Sequence, residues 1–214
     1  MAELRCVVAP GMPHHAAGRR NGRPTTFFRE GDYTAYRELM AEWCAACTVQ
    51  IRAYRLMPNY VHLIAVAHPA DSLHGGIGEA HRRYTRRINL RQGGRGHLWQ
   101  GRSPLYVMDE DYLLAAGRYV ERNPDRPRLV TSAGQYRWNT ASVQRWGDDE
   151  FLGRVKPLLD LVPDCEGLLR MELEDRTLAE LRQHERTGRP FGDDGFVRRL
   201  ERRLGRLIRR QKPG

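Results

Sequence analysis

Hydrophobic positions early in the chain change from a helical to a strand-like spacing. Between residues 33 and 47, apolar side chains recur on one helix face, and Asp32 is placed to cap that helix. The positions concerned are Tyr36, Leu39, Met40, Trp43 and Cys47. The following VQIRAYRLMPNYVHLIAV predicts two strands, with Met57-Pro58-Asn59 as the turn between them.

Further elements follow on both sides of this hairpin. A strand is predicted within His14 to Arg19, although Ala16-Ala17-Gly18 is poor strand material. Ser72 opens a second helix, LYVMD is a short strand, and a third helix runs from about Asp109 until Pro124 stops it. The order strand, helix, strand, strand, helix, strand predicts an α+β, ferredoxin-like antiparallel sheet with helices on one face.

The character of the chain changes beyond the third helix. We place one domain at residues 5–146 and a partly helical, basic C-terminal extension at residues 147–214. The extension ends in FVRRLERRLGRLIRRQK, where a narrow apolar stripe is surrounded by arginines. The stripe consists of Phe196, Leu200, Leu204 and Leu207. Two interpretations stay open, a small DNA-binding appendage and a solvated helix packed on the domain.

The charge balance narrows the class of partner. The chain has 36 Lys and Arg against 26 Asp and Glu, a formal net charge of +10. This excess favours an anionic partner, nucleic acid before membrane. The N-terminus has no apolar signal core and no segment approaches 18 apolar residues, so we expect a cytoplasmic protein that does not enter a membrane.

Two pairs of residues suggest chemistry. In a strand that begins near Asn59, Tyr60 and His62 share one face, where two neighbouring side chains could jointly hold a metal ion. On the third helix, Tyr119 and Asn123 lie four residues apart and offer a phenol and an amide oxygen. Taken alone, the second pair is typical of a core tyrosine beside an asparagine that ends a helix.

Three ordered motifs, MPNYVHLI, HLWQGR and YLLAAGRYVERNPDRPRLV, closely resemble the REP-associated tyrosine transposases, relatives of the single-tyrosine HUH transposases. The resemblance covers about residues 5–146, and the tail resembles C-terminal extensions of that group. It implies that Tyr119 is the nucleophile and that His62 and Asn123 bind a divalent metal, Mg²⁺ or Mn²⁺. The family's first metal-binding histidine is Tyr60 in this chain.

The resemblance implies a protein that binds single-stranded, palindromic hairpin DNA. It also implies cleavage and rejoining of that DNA through a 5′-phosphotyrosine, by a monomer or a homodimer. A neutral phenol is a weak ligand for a hard cation, so Tyr60 leaves three alternatives. These are a weakened enzyme, a catalytically impaired DNA-binding protein, and a tyrosinate that binds the metal directly.

Expected DNA contacts are spread over three regions. Arginines in the first loop, on the second helix and around an aromatic in the third loop offer phosphate contacts and a stacking surface. They are Arg19, Arg20, Arg23, Arg82, Arg83, Arg86, Arg87, Arg95 and Arg102, with Trp99 as the aromatic. Tyr84, a rival nucleophile, is assigned to packing or DNA contact. His14 and His15 lie on the strand next to the central one, so one of them could approach the site, although both are assigned to packing or the surface. His81 and His97 are assigned to DNA or solvent.

Overall fold

The structure is a computed structural model that describes residues 7–19, 25–100, 104–122, 136–140 and 174–209, without the side chains of residues 121 and 122. Its strands are β1 (Pro13–Arg19), β2 (Val49–Met57), β3 (Tyr60–Ala67) and β4 (Leu105–Val107). Its helices are α1 (Glu30–Ala46), α2 (Ser72–Gln92), α3 (Glu110–Arg122), α4 (Asp175–Thr187) and α5 (Asp194–Leu204). No described helix is long and apolar enough to cross a membrane.

The four strands form one antiparallel sheet in the order β2-β3-β1-β4. This order, with α1 between β1 and β2 and α2 between β3 and β4, confirms the predicted ferredoxin-like α+β class. The register places Arg19 opposite Tyr60, and Ala17 opposite His62. Because directly opposed residues of an antiparallel pair share a face, β1 and β3 together define the face on which the predicted site lies.

The two faces of the sheet are covered by different helices. Val61, Leu63 and Ala65 of β3 belong to a core cluster shared with α1 and α2, whereas Ile64 belongs to a cluster shared with α3. Helices α1 and α2 therefore share one face, as the ferredoxin-like prediction has it, and the added third helix α3 covers the other. Since the alternation of β3 turns Tyr60 and His62 to the same side as Ile64, these two residues face α3.

Small residues in β1 allow α2 to approach the sheet closely. A Cβ atom added at Gly18 would lie 3.1 Å from the His81 ring and 3.2 Å from the Trp99 ring. The glycine that is unfavourable for a strand thus leaves the space in which these two rings pack. Where α2 approaches α1, a Cβ atom at Gly76 would lie 3.2 Å from the carbonyl oxygen of Trp43.

The start of α1 differs from its prediction. The helix begins at Glu30, so Asp32 is its third residue and not the residue before it. The Asp32 carboxylate still satisfies helix-terminal groups, since it accepts hydrogen bonds from the backbone N–H groups of Phe28 at 2.9 Å and Arg29 at 3.3 Å. It also pairs with Arg91 near the end of α2, which links the two helices.

The C-terminal helices pack on the domain. Leu181 of α4 and Phe191 are buried in the cluster around α3, while Phe196 and Leu200 of α5 are buried in a third cluster with Val107 of β4. Of the two interpretations of the tail, packing on the domain is therefore found for the described helices. Whether the tail also contacts DNA stays a prediction.

The predicted apolar stripe of the tail needs one correction. Leu207 is 68% exposed, whereas the next residue, Ile208, is buried. The helix ends at Leu204, and Gly205 adopts a left-handed conformation with φ of 62°. Because the chain no longer follows helical periodicity after this glycine, the spacing that selected Leu207 does not apply there.

Backbone groups at both outer strands are bonded within the chain. Along β2, the N–H of Leu56 donates to the carbonyl of Trp138 at 2.8 Å. Along β4, the N–H of Phe191 donates to the carbonyl of Val107 at 2.8 Å, and the N–H of Asp109 donates to the carbonyl of Phe191 at 2.9 Å. The two short segments around Trp138 and Phe191 therefore line the outer sides of the sheet.

Candidate active site

Strands β1 and β3 bring a set of aromatic side chains together on the face toward α3. The ring centroids of Tyr60 and His62 are 4.4 Å apart. His62 is buried, and its Nδ1 lies 3.0 Å from Nε2 of the equally buried His15 in β1. The sequence assigned His15 to packing or the surface but allowed that His14 or His15 could approach the site, and the structure places His15 in direct contact with the predicted metal-binding histidine.

Helix α3 adds Tyr119 to this set. Its residues Leu113, Ala116 and Val120 are buried against the sheet, which fixes the rotation of the helix. Tyr119 is 3% exposed, and its ring meets that of His62 edge-on at a centroid distance of 5.7 Å. Tyr60, His62 and Tyr119 therefore lie together as expected, although their chemical roles stay predictions.

Glu185, in the last turn of α4, completes the cluster. One of its carboxylate oxygens accepts a hydrogen bond from the Tyr60 hydroxyl, and the other accepts one from the Tyr119 hydroxyl at 2.9 Å. The sequence analysis missed this residue. Its position in a charge-dense, amphipathic segment is typical of a solvent-exposed side chain, and nothing local indicates a contact with a residue 66 positions earlier.

Burial keeps both histidines of the cluster neutral. It lowers the pKa of His15 to about 3. The pKa of His62 is well below its ordinary value because of burial and, to a smaller extent, because of the nearby His15 and Arg55. Arg55, which lies opposite His62 in β2, was also missed by the sequence analysis. A neutral imidazole retains a lone pair that can bind a metal ion.

The environment of Tyr60 disfavours its ionised form. Burial raises the pKa of the Tyr60 hydroxyl well above its ordinary value, and the negative charge of Glu185 raises it further. The alternative in which Tyr60 binds a metal as a tyrosinate therefore has to overcome both effects.

The described side chains do not by themselves fit a divalent metal. Among the residues that the structure describes, no group of three or more His, Cys, Asp or Glu side chains is placed to hold one. His62 offers one imidazole, but the Tyr60 hydroxyl is directed to Glu185. The predicted third ligand, Asn123, lies outside the described residues.

Only one of the predicted DNA-binding arginines adjoins this cluster within the described ranges. Arg19 is exposed at the end of β1, directly opposite Tyr60. Arg95 is exposed in the loop after α2. The predicted contacts at Arg20, Arg23 and Arg102 lie outside the described residues.

The arginines of α2 form a basic groove on the opposite side of the sheet. The groove is lined by Arg29, Leu39, Arg82, Arg83, Arg86, Arg87, Leu90 and Arg91. Arg82 and Arg83 donate hydrogen bonds to the Glu79 carboxylate at 2.7 Å and 2.9 Å. The Arg83 guanidinium also lies over the Trp43 ring. Arg86 and Arg87 are exposed on the same helix. The structure therefore separates these arginines from Tyr119.

Two aromatic residues predicted to contact DNA are instead parts of the core. Trp99 is 7% exposed and stacks on His81 at a centroid distance of 4.3 Å. Neither ring is available for an unpaired base, because both pack beside Gly18. His81 also hydrogen-bonds the Tyr36 hydroxyl at 2.8 Å, so its assignment to DNA or solvent is wrong.

Two other assignments agree with the structure. The Tyr84 hydroxyl is buried and donates to the carbonyl of Thr26 at 3.1 Å, in keeping with a packing role. His97 is exposed, as expected for a residue that meets solvent or DNA. Tyr84 lies in the cluster shared with α1 and α2, on the other face of the sheet from Tyr119.

With this geometry established, the sequence can be compared with known families. Residues 11–123 match the family described as "Transposase IS200 like". The chain belongs to this family. The matched range includes Tyr60, His62, Tyr119 and Asn123, whereas Glu185 lies beyond it. The predicted kinship with the single-tyrosine transposases is thereby confirmed.

A solved structure supports the same fold, and a second one adds a comparison of sequence and coverage alone. The first, described as "Structure of the REP associates tyrosine transposase bound to a REP hairpin", is 16% identical, with a TM-score of 0.54. The match covers 72% of this chain and 93% of that one. A transposase structure from Deinococcus radiodurans R1, described as putative, is 20% identical over 57% of this chain and 97% of that one, with a TM-score of 0.40. None of the curated proteins compared matches this IS200-like transposase.

Proposed function

We propose that this protein is a REP-associated tyrosine transposase that binds hairpin-forming single-stranded DNA and cleaves and rejoins it through Tyr119. The observation that carries this proposal is the position of the Tyr119 hydroxyl. The Tyr119 ring lies beside His62, and its hydroxyl donates to a carboxylate oxygen of Glu185 at 2.9 Å. Tyr119 and His62 both lie within the range that matches the family. The likeness in fold to a transposase bound to a REP hairpin supports hairpin DNA as the ligand.

Tyr119 is proposed to act as a nucleophile toward a phosphodiester. Its oxygen would bond to phosphorus and displace the 3′ hydroxyl, leaving the 5′ phosphate attached to the protein. The energy of the broken bond is retained in the phosphotyrosine. A 3′ hydroxyl from another DNA end can then reverse the step, which gives strand transfer without ATP.

Positive charge near the cluster supports this chemistry. A phosphodiester resists attack because its oxygens are negatively charged, and neighbouring cations reduce that barrier. Arg19 lies opposite Tyr60 at the end of β1, and Arg55 lies opposite His62 in β2. Arg19 is therefore on a strand that carries the cluster, and Arg55 is on the strand next to it.

A divalent cation, Mg²⁺ or Mn²⁺, remains part of the proposal. His62 and Asn123 would hold it, with water or DNA phosphate at the remaining positions. When bound, such an ion neutralises charge on the phosphate oxygens during attack. Since the described donors do not complete a metal site, we expect weak affinity for the ion.

A second candidate is a DNA-binding protein that does not cleave. Tyr60 favours it, because this residue replaces an imidazole ligand with a phenol that is directed to Glu185. The buried Tyr119 hydroxyl beside His62 favours catalysis instead. Formation of a covalent adduct distinguishes the two candidates.

The test is incubation of the full chain with a labelled palindromic single strand and Mn²⁺, followed by a denaturing gel. We expect a protein–DNA adduct that Tyr119→Phe abolishes while hairpin binding stays within about twofold. Tyr84→Phe is the matched control, because it removes one hydroxyl from the opposite face of the sheet. An adduct that is lost in Tyr84→Phe and retained in Tyr119→Phe would show that Tyr84, and not Tyr119, is the nucleophile. Absence of any adduct would leave the non-cleaving candidate.

A further inference from the structure

One carboxylate joins two phenols that come from different parts of the fold. Tyr60 belongs to β3 and Tyr119 to α3, and each donates to a separate oxygen of Glu185. The carboxylate is thus in contact with the hydroxyl oxygen that the proposed reaction uses. It comes from α4, which lies outside the range that matches the transposase family.

The backbone of α4 holds this carboxylate in place. Leu181, one turn before Glu185, is fully buried in the cluster with α3. Immediately after Glu185 the helix ends at Thr187, where Gly188 takes a left-handed conformation and its N–H donates to the carbonyl of His184 at 2.8 Å. Packing and a defined helix end therefore fix the direction of the Glu185 side chain.

We propose that Glu185 is the general base for Tyr119, and that Tyr60 positions its carboxylate. This inference rests on the proposed function. A tyrosine that attacks phosphorus must lose its proton, and a base within hydrogen-bond distance can accept it. The 2.9 Å contact between the Tyr119 hydroxyl and Glu185 meets that geometric requirement.

The proton balance closes over both steps. In cleavage, the bond from the Tyr119 oxygen to phosphorus forms, the bond from phosphorus to the 3′ oxygen breaks, and the tyrosine proton passes to Glu185. The departing 3′ oxygen takes a proton from water. In rejoining, an incoming 3′ hydroxyl releases its proton to water and bonds to phosphorus, while the departing Tyr119 oxygen recovers its proton from Glu185.

Tyr60 is suited to hold such a base. Its hydroxyl donates to one carboxylate oxygen of Glu185, and the other oxygen accepts from Tyr119. Replacement of the family's first histidine thus exchanges a metal ligand for a hydrogen-bond donor. The same contact would be expected if α4 merely covered the site. Changing Glu185 distinguishes the two roles, because loss of a base slows adduct formation, whereas loss of a covering contact leaves it as fast or makes it faster.

The experiment measures single-turnover adduct formation by the full chain on the labelled palindromic strand with Mn²⁺. Glu185→Gln and Glu185→Ala are expected to slow the adduct about a hundredfold, in the range of general-base losses. Hairpin affinity and Mn²⁺ affinity should stay within about twofold of wild type. Tyr60→Phe should slow the adduct less, because the base itself remains. Glu180→Gln is the matched control, since Glu180 lies on the same helix and binds Arg176.

Added formate provides a readout that a structural role would not give. Formate should restore part of the rate of Glu185→Ala by replacing the missing carboxylate, and should leave Tyr60→Phe and Tyr119→Phe unchanged. Thermal melting of each variant separates a lost base from a lost fold, and a rate loss in Glu185→Ala that formate does not relieve counts against the proposal.

Three other results would overturn the inference. Glu185 variants that react as fast as wild type or faster would show that α4 only covers the site. Loss of Mn²⁺ affinity in step with the rate would identify Glu185 as a metal ligand. In both cases the adduct on Tyr119, and hence the proposed function, would stand. A wild-type protein that forms no adduct would overturn both proposals together.

Discussion

The family resemblance aligns Tyr60 with a histidine that is expected to bind metal, and in this chain the Tyr60 hydroxyl makes a different contact. It donates to Glu185, and its ring packs 4.4 Å from that of His62. The substitution therefore changes the contacts at the site without removing the side chain from it. A phenol at this position donates a hydrogen bond to a carboxylate, whereas an imidazole would offer a lone pair to a cation.

Tyr60→His should tighten Mn²⁺ binding. It places a second imidazole on the face of β3 that carries His62, and an imidazole needs no loss of a phenolic proton before it donates a lone pair. We expect a gain of about tenfold in affinity, equivalent to about 1.4 kcal/mol. Titration of the protein with Mn²⁺, followed by electron paramagnetic resonance, measures it.

Tyr60→Phe is the control for this change, because it loses the same hydroxyl and gains no ligand. It should bind Mn²⁺ no more tightly than wild type. Equal affinities in Tyr60→His and Tyr60→Phe would mean that residue 60 does not reach the metal.

The cluster could be predicted from sequence only in part, for reasons visible in single residues. Strand alternation indicated that Tyr60 and His62 share a face, and the family resemblance joined them to Tyr119. Glu185 could not be found this way, because its contact depends on how α4 packs. Trp99 was misjudged because its glycine- and arginine-rich surroundings suggested exposure, while the space beside Gly18 that buries it is a tertiary feature.

At the scale of elements, the sequence predicted which helices and strands exist better than it predicted where each begins and ends. α2 begins at the predicted Ser72, since its apolar periodicity starts there. α1 begins earlier than predicted, because Asp32 lies inside the first turn and accepts hydrogen bonds from Phe28 and Arg29, which precede the helix. The tail helix ends before Leu207, where Gly205 changes the direction of the chain.

Phe196→Ala should destabilise the protein by about 3–5 kcal/mol, the usual cost of removing a buried aromatic ring. Phe196 is 1% exposed and packs against the β4 residue Val107. Leu207→Ala is the control, because this side chain is 68% exposed and should cost less than about 0.5 kcal/mol. Urea unfolding of the full chain measures both. Equal effects in the two variants would show that α5 does not pack on the domain in solution.

At the scale of the whole molecule, positive charge is distributed over both sides of the sheet. Arg19 lies near the tyrosine cluster, whereas the basic groove of α2 lies on the other face. A DNA hairpin that used both would have to extend around the domain. The salt dependence of binding reports how many phosphates such a contact includes.

Removal of Arg86 and Arg87 together should weaken hairpin binding and reduce its salt dependence. Each lost phosphate contact on a single strand lowers the slope of log affinity against log salt by roughly 0.7, so two contacts lower it by about 1.4. Fluorescence anisotropy at several salt concentrations measures this slope. Arg176→Ala is the control, since this 87% exposed arginine lies on α4. An unchanged slope would exclude the groove from the DNA contact.

Stability should fall as the pH decreases from about 6.5 toward 4. Burial lowers the pKa of His81 and of His14 to about 4, from an ordinary value of 6.5. Because the unfolded chain binds these protons at higher pH than the folded protein, the stabilisation is present above 6.5 and is lost as the pH falls. Each pKa unit corresponds to about 1.4 kcal/mol for a single histidine.

Urea midpoints at pH 7.5, 6, 5 and 4 measure this decline. His81→Gln should reduce it, while His97→Gln, which changes an exposed histidine, should leave it as in wild type. Midpoints that do not change between pH 6.5 and 4 would contradict the buried, neutral state of these residues.

The segments that line the outer strands limit how copies of the protein can associate. An unpaired strand edge is a template on which another chain can add a strand, and such addition leads to sheet-extended dimers or to aggregates. Here Trp138 occupies hydrogen-bonding positions along β2, and Phe191 does so along β4. A second copy that continued the sheet would first have to displace one of these segments. At these positions the addition of a strand from a second copy is thus opposed by the chain's own backbone.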